Sequence, residues 1–266
     1  MINSKKNLTG GQAAVNSLKK EKVKHIFGLI GSATMEIFDA LYHQKKIKFI
    51  GVRDERTGTH MADGYARASN SPGVILAGQN GPGATNLVTG IAQAQAAFSP
   101  VVSIAGSFST KDKMEDAFQG LDQQSLFKPI TKKTWLVKSA KKIPLIFSKA
   151  FKLAMMPRKG PVCINLPRNI LAEKLKLKIN ENKISYEKES SINASPNIIK
   201  KAVKLISNSS RGVMVVGAGI KYNSRHKDII KLAKLLNIPI VSAAGHGDAI
   251  PFDCKLNAGQ MGPRGN

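Results

Sequence analysis

The stretch Asp54-Glu55-Arg56-Thr57-Gly58-Thr59-His60-Met61-Ala62-Asp63-Gly64-Tyr65-Ala66-Arg67 decides how the rest of the chain is read. Before it, Ile47-Lys48-Phe49-Ile50-Gly51-Val52 reads as a short buried strand. After it, Met61, Gly64, Tyr65 and Ala68 recur at helical spacing. Glu55 therefore stands where a strand gives way to a helix. A carboxylate in a helix's first turn is favoured by the helix dipole, and that account of Glu55 stands beside one in which the carboxylate is used chemically.

Outward from this point, Gly73-Val74-Ile75-Leu76-Ala77 reads as the next strand. It runs into Gly78-Gln79-Asn80-Gly81-Pro82-Gly83-Ala84-Thr85-Asn86 and then a helix of small residues to about Ala97. A glycine-rich turn opening a helix lets a ligand approach the backbone and offers it free N–H groups. This one has neither the Lys-Ser/Thr of a P-loop nor dinucleotide-fold spacing, so a structural tight turn accounts for it equally. Apolar runs at about 25–30, 47–52, 73–77, 100–105 and 161–166 alternate with amphipathic stretches at about 10–20, 34–44, 55–69, 84–97 and 143–156. That order predicts an α/β fold, a parallel sheet with helices on both faces. Ligands in such sheets sit beyond the carboxyl ends of the strands. Glu55, the Asn80 turn and the turn at Phe27-Gly28-Leu29-Ile30-Gly31-Ser32 all fall there, so they can converge on one crevice.

Taken together, these motifs resemble those of thiamine-diphosphate enzymes of the acetolactate synthase type. The resemblance implies a thiamine-diphosphate-binding fold over residues 1–170, with Glu55 as the buried acid that shares a proton with the cofactor's aminopyrimidine ring. It further implies that Gly28, Gly31, Asn80, Gly81, Pro82, Gly83, Asn86 and Gln119 line the cofactor site. Asp116-Ala117-Phe118-Gln119, Pro129-Ile130-Thr131-Lys132 and Gly160-Pro161-Val162-Cys163-Ile164-Asn165-Leu166-Pro167-Arg168 extend the match. Ile30 replaces the family's proline, and Gly120 stands where a glutamate is common. Gly31-Ser32 and Gly78-Gln79-Asn80-Gly81-Pro82-Gly83 resemble instead the sulfoacetaldehyde acetyltransferase branch. His60 is expected to be packed and hydrogen-bonded, and Arg67 to be a helix-end cation.

From about Leu171 to Asn193 the composition turns to Lys, Glu, Asn and Ser, which reads as a linker over 171–194. Ser195-Pro196 then caps a helix to about Ile206. The strand Gly212-Val213-Met214-Val215-Val216, the turn Gly217-Ala218-Gly219, a helix over about 225–236 and the strand Ile238-Pro239-Ile240-Val241 follow. This partial Rossmann-like unit, 195–266, resembles the family's central domain, which binds FAD in acetolactate synthase. A close helix–strand contact is the expected reason for the two glycines at 217–219. Relatives continue into a domain whose Gly-Asp-Gly and Asn hold Mg²⁺ and the diphosphate. Gly247-Asp248-Ala249 lacks the third glycine and reads as a loop, so no metal ligand is expected here.

With 266 residues and 42 % hydrophobic composition, the chain is long enough for one full domain and part of another. It shows no membrane-length apolar run and no secretory leader, so a cytoplasmic location is expected. Cys163 on a core strand and Cys254 in a loop have neither disulfide nor metal spacing and read as free thiols. The formal charge is +24, and Lys128 to Ala172 carry no acidic residue. With one Trp and no stacking platform or recognition helix, this reads as solvated lysine rather than specific nucleic-acid binding. The resemblance implies a homo-oligomer, or pairing with a separate chain carrying the diphosphate domain, and a small 2-oxo acid substrate. A sulfoacetaldehyde acetyltransferase and a non-catalytic subunit are the alternatives.

Overall fold

The structure, a computed structural model, describes residues 8–175, 194–222 and 225–262. The chain divides into two compact units, Met1–Ile184 and Ser185–Asn266.

In the first unit the strands β1 (Leu8–Thr9), β2 (His25–Gly28), β3 (Lys48–Gly51), β4 (Gly73–Ala77), β5 (Val101–Ser107), β6 (Lys133–Leu136), β7 (Val162–Pro167) and β8 (Lys174–Leu175) appear in chain order. Six of them form one sheet in the order β3-β2-β4-β5-β7-β6, with every neighbouring pair parallel. β1 and β8 pair separately and antiparallel. The helices are α1 (Gly10–Lys20), α2 (Met35–Tyr42), α3 (Glu55–Ser69), α4 (Pro82–Asn86), α5 (Val88–Ala96), α6 (Gln123–Phe127), α7 (Ile143–Met155) and α8 (Arg168–Ala172).

Strand side chains alternate between two apolar clusters, one on each face. Val74, Leu76, Val102, Ile104, Val162 and Ile164 pack with residues of α1, α2 and α7. Ile75, Ala77, Val101, Ala105 and Cys163 pack with residues of α3, α4 and α5. Burial on both sides explains why β4, β5 and β7 read as continuous apolar runs. The expected α/β architecture is present. The sequence pattern missed β6, because Lys133-Thr134-Trp135-Leu136 is an edge strand and only half-buried, with lysine at its exposed end. Residues 171–175, read as linker, are helix and paired strand, since Leu171 and Leu175 reach the core. The rest of that segment, 176–193, lies outside the described residues.

The second unit contains α9 (Pro196–Ser207), β9 (Met214–Val216), α10 (Ala218–Tyr222), α11 (His226–Leu236), β10 (Ile240–Ser242) and β11 (Asn257–Gln260). The three strands form a parallel sheet ordered β11-β10-β9. Ser195 caps α9 through Ile198 N–H, as its position before Pro196 implies. The turn at Gly217–Gly219 corrects one expectation. A Cβ on Gly219 would meet nothing within 4 Å, and one on Gly217 would make only ordinary contact with Ala243 at 3.6 Å. Tight helix–strand packing is therefore not why glycine stands there. Gly247–Ala249 forms a single 3₁₀ turn.

Cys163 is fully buried and its thiol is pushed up to about 12 by loss of solvation. Cys254 is half-buried; both are free thiols. Alkylation of the native protein at pH 8 is expected to label Cys254 alone, with Cys163 reacting only after denaturation. Equal labelling of both in the folded state, read by peptide mass spectrometry, would contradict this packing.

Candidate functional site

Three adjacent strands, β3, β2 and β4, end side by side, so the turns that follow them meet. After β3, Asp54 takes an extended conformation and its carboxylate accepts from Arg56 N–H at 2.7 Å, capping α3. Capping is thus done by Asp54, and Glu55 in the first helical position is left to another use. Glu55 is only 3 % exposed. Its Oε2 accepts from Asn86 Nδ2 at 3.0 Å, and among the described residues no cation is paired with it. A buried carboxylate held by a single amide is costly unless something further meets it.

Glycine provides the space for that meeting. A Cβ on Gly83 would lie 3.0 Å from Glu55 Oε1 and 3.1 Å from Gln79 Cβ, so the absent side chain leaves the carboxylate's second oxygen open. Gly81 has φ 55° and ψ −102°, outside the range most L-residues adopt. A Cβ there would also strike the Gln119 carbonyl at 2.6 Å. Pro82 follows in the first turn of α4, where no N–H is required of it. Asn80, 6 % exposed, donates through Nδ2 to the Phe118 carbonyl at 2.9 Å and the Gln119 carbonyl at 3.1 Å. The turn after β4 is thereby tied to the segment that carries Gln119, whose own φ is 56°.

Gly28 and Gly31 stand close against neighbouring backbone. Gly28 ends β2, where a Cβ would meet the Leu76 carbonyl at 2.5 Å. Gly31 and Gly78 press backbone against backbone, each blocking a Cβ on the other at 2.4 Å. Both glycines let two turns touch. The structure therefore brings Glu55, Gly83 and Asn86 together and ties Asn80 and Gly81 to Gln119, with Pro82 between the two groups and Gly28 and Gly31 packed on neighbouring backbone. Sequence reasoning passed over two residues at this place: Ser32 Oγ donates to Gln79 Oε1 at 2.9 Å, and Gln79 Nε2 donates to Gln119 Oε1 at 2.8 Å. Nothing local marks these side chains as partners of one another, because each bonded pair is separated by 40 or more residues.

His60 is exposed rather than packed; it lies on the outward face of α3, opposite the buried Thr59 and Ala62. Arg67 makes a two-pronged ion pair with Asp63 at 2.9 Å, one helical turn back. Among the described residues no group of three or more His, Cys, Asp or Glu side chains is gathered to hold a metal ion, and no helix is long and apolar enough to cross a membrane.

Comparison with known protein families matches two segments of the sequence to one family. Residues 8–126 match the thiamine pyrophosphate enzyme N-terminal TPP binding domain, and residues 199–266 match the thiamine pyrophosphate enzyme central domain. The chain belongs to the thiamine pyrophosphate enzyme family. It is 38 % identical over 97 % of its length to the probable acetolactate synthase large subunit of Methanococcus aeolicus, covering 43 % of that protein. It is 36 % identical over 97 % of its length to the acetolactate synthase large subunit of Buchnera aphidicola subsp. Acyrthosiphon pisum, covering 45 %. The acetolactate synthase isozyme 3 large subunit of Escherichia coli strain K12 is 35 % identical, again with 97 % of this chain and 45 % of the relative aligned. The chain thus spans less than half the length of these relatives.

Proposed function

We propose that this chain supplies the aminopyrimidine-binding half of a thiamine-diphosphate site in an enzyme of acetolactate synthase type. Such an enzyme decarboxylates a 2-oxo acid and joins the remainder to a second acceptor. The observation that carries the reading is Glu55, which is buried, relieved of capping by Asp54, oriented by Asn86 and open beside Gly83. Thiamine diphosphate, when bound, supplies the carbon chemistry. Glu55 holds the proton shared with the ring nitrogen, and Asn86 keeps its carboxylate turned toward that partner. Gly83 leaves the approach clear. Asn80 fastens the Gln119 segment over the cleft, which helps exclude water.

The diphosphate and Mg²⁺ fall, on this reading, to a domain in a continuing polypeptide or in a second chain. Exposed apolar residues near the cleft support an interface there: Ile30 is 67 % exposed and Phe118 80 %. A second copy of this chain, or the chain carrying the diphosphate domain, is the partner proposed. FAD enters only as a ligand of the second unit, with the open turn at Gly217–Gly219 as its support; flavin absorbance absent from the purified, flavin-supplemented protein would remove it.

The test is reconstitution. The purified chain alone is expected to bind thiamine diphosphate very weakly, and the diphosphate-binding domain of a relative, added with Mg²⁺, is expected to restore binding and pyruvate-dependent acetolactate formation. Calorimetry showing tight Mg²⁺-dependent binding to the chain alone would break the half-site reading, and a reconstituted complex with cofactor bound but no turnover would favour a non-catalytic role. Sulfoacetaldehyde is the competing substrate to include. The pairing of Ser32 with Gln79 favours that second reading, since these are two of the positions that depart from the acetolactate synthase pattern and they touch each other.

A further inference from the structure

The side chains of Ser32, Gln79 and Gln119 form a chain of hydrogen bonds across the mouth of the cleft, and the chain has a direction. Ser32 donates to the Gln79 oxygen and Gln79 donates to the Gln119 oxygen. Both ends of the Gln79 amide are used. Gln119 is left with its NH2 group free of any protein partner among the described residues, while its backbone carbonyl is taken by Asn80. A serine hydroxyl can donate or accept, so Ser32 alone does not set the polarity. A buried charge stands nearby: the carboxylate of Glu55, which lies beside Gln79 across Gly83. A carboxylate attracts a free NH2 and repels a free carbonyl oxygen.

We propose that Ser32 and Gln79 are positioning residues which hold Gln119 with its NH2 toward the cleft, making it a hydrogen-bond donor there. A residue with this polarity serves a ligand that presents acceptor oxygens, such as the carboxylate or keto oxygen of a 2-oxo acid. That last step rests on the function proposed above; the polarity of the chain does not. Donor Gln119 and acceptor Glu55 then give the cleft two opposite hydrogen-bonding walls. Three loops far apart in sequence are needed to produce one oriented amide.

The polarity can be read without cofactor, substrate or turnover. Side-chain amide hydrogen exchange, followed by ¹⁵N NMR on the whole chain, is expected to show a Gln79 proton slowed about three- to tenfold relative to Gln119, whose NH2 exchanges like that of an exposed glutamine. Gln79→Glu should invert the pattern. An ionised carboxylate only accepts, so Gln119 must turn its NH2 to Glu at position 79 and become protected by a similar factor. Ser32→Ala should lessen the Gln79 protection without inverting anything. Protection of the Gln119 NH2 in the wild-type chain, or an unchanged Gln119 rate in a folded Gln79→Glu variant, would overturn the proposal. Should that variant fail to fold, the wild-type comparison of the two amides still decides. A failed reconstitution alongside the expected exchange pattern would refute the assigned activity while leaving the relay in place.

Discussion

Glu55→Gln is expected to slow deuterium exchange at the cofactor's thiazolium carbon by roughly 10²- to 10⁴-fold in an assembly carrying both halves of the site, the usual range for a general acid–base group. The substitution keeps the shape of the side chain and can keep the Asn86 contact, while removing the group able to share a proton. Stability should move little. Capping of α3 belongs to Asp54, and a first-turn carboxylate contributes only about 0.3–1 kcal/mol through the helix dipole. Loss of that term is partly offset by removal of a charge that is 3 % exposed and has no paired cation among the described residues. Arg67→Gln is the control. Its guanidinium is spent on Asp63, so exchange should stay near the wild-type rate. Unaltered exchange in Glu55→Gln, with cofactor occupancy confirmed, would mean that Glu55 only starts its helix.

The largest effect on stability is expected at Asn165, a fully buried polar residue in the middle of an apolar strand. Its Oδ1 accepts from Gln123 Nε2 at 2.8 Å, and its Nδ2 donates to Thr134 Oγ1 at 3.0 Å and to the Trp135 carbonyl at 3.2 Å. One side chain therefore pins both the edge strand β6 and the helix α6 to β7. Asn165→Ala strips partners from several buried groups at once, each costing about 1–3 kcal/mol when left unsatisfied. A loss of about 3 kcal/mol is expected, near 10 °C in Tm for a unit of this size. Thr134→Val removes one partner only and should cost about 1 kcal/mol. Thermal unfolding of the two variants checks the ranking; equal, small losses would show that the network does not hold β6.

Much of this architecture is written in local patterns. Strands buried on both faces need uninterrupted apolar runs, so β4, β5 and β7 were visible as such, and the helices between them follow from periodicity. The position of Glu55 at a strand end was equally plain, because a strand-to-helix boundary is a short-range event. Asn86, Asn80 and Gly83 sit in one quoted turn, and their family resemblance named them together.

Other features depend on partners distant in the chain and leave no local trace. β6 is an edge strand between lysines, and it is recognised by its parallel pairing with β7, Lys133 to Leu136 against Val162 to Asn165, to which Asn165 adds side-chain bonds from about 30 residues away. Gly28 and Gly31 carry the same letters whether they meet a ligand or another backbone, and the contacts with Leu76 and Gly78 supply a backbone reason for both. In the sequence Glu55 reads either as a first-turn residue favoured by the helix dipole or as a working acid, and the structure adds that the cap of α3 is Asp54 and that Glu55 is buried against Asn86. By itself the sequence determined five of the six strands of the sheet and the main helices between them, since those follow from burial repeated along a segment. The tertiary structure alone decided which side chains face one another across the cleft, because hydrogen-bond pairing between turns depends on strand order and register, which no single segment encodes.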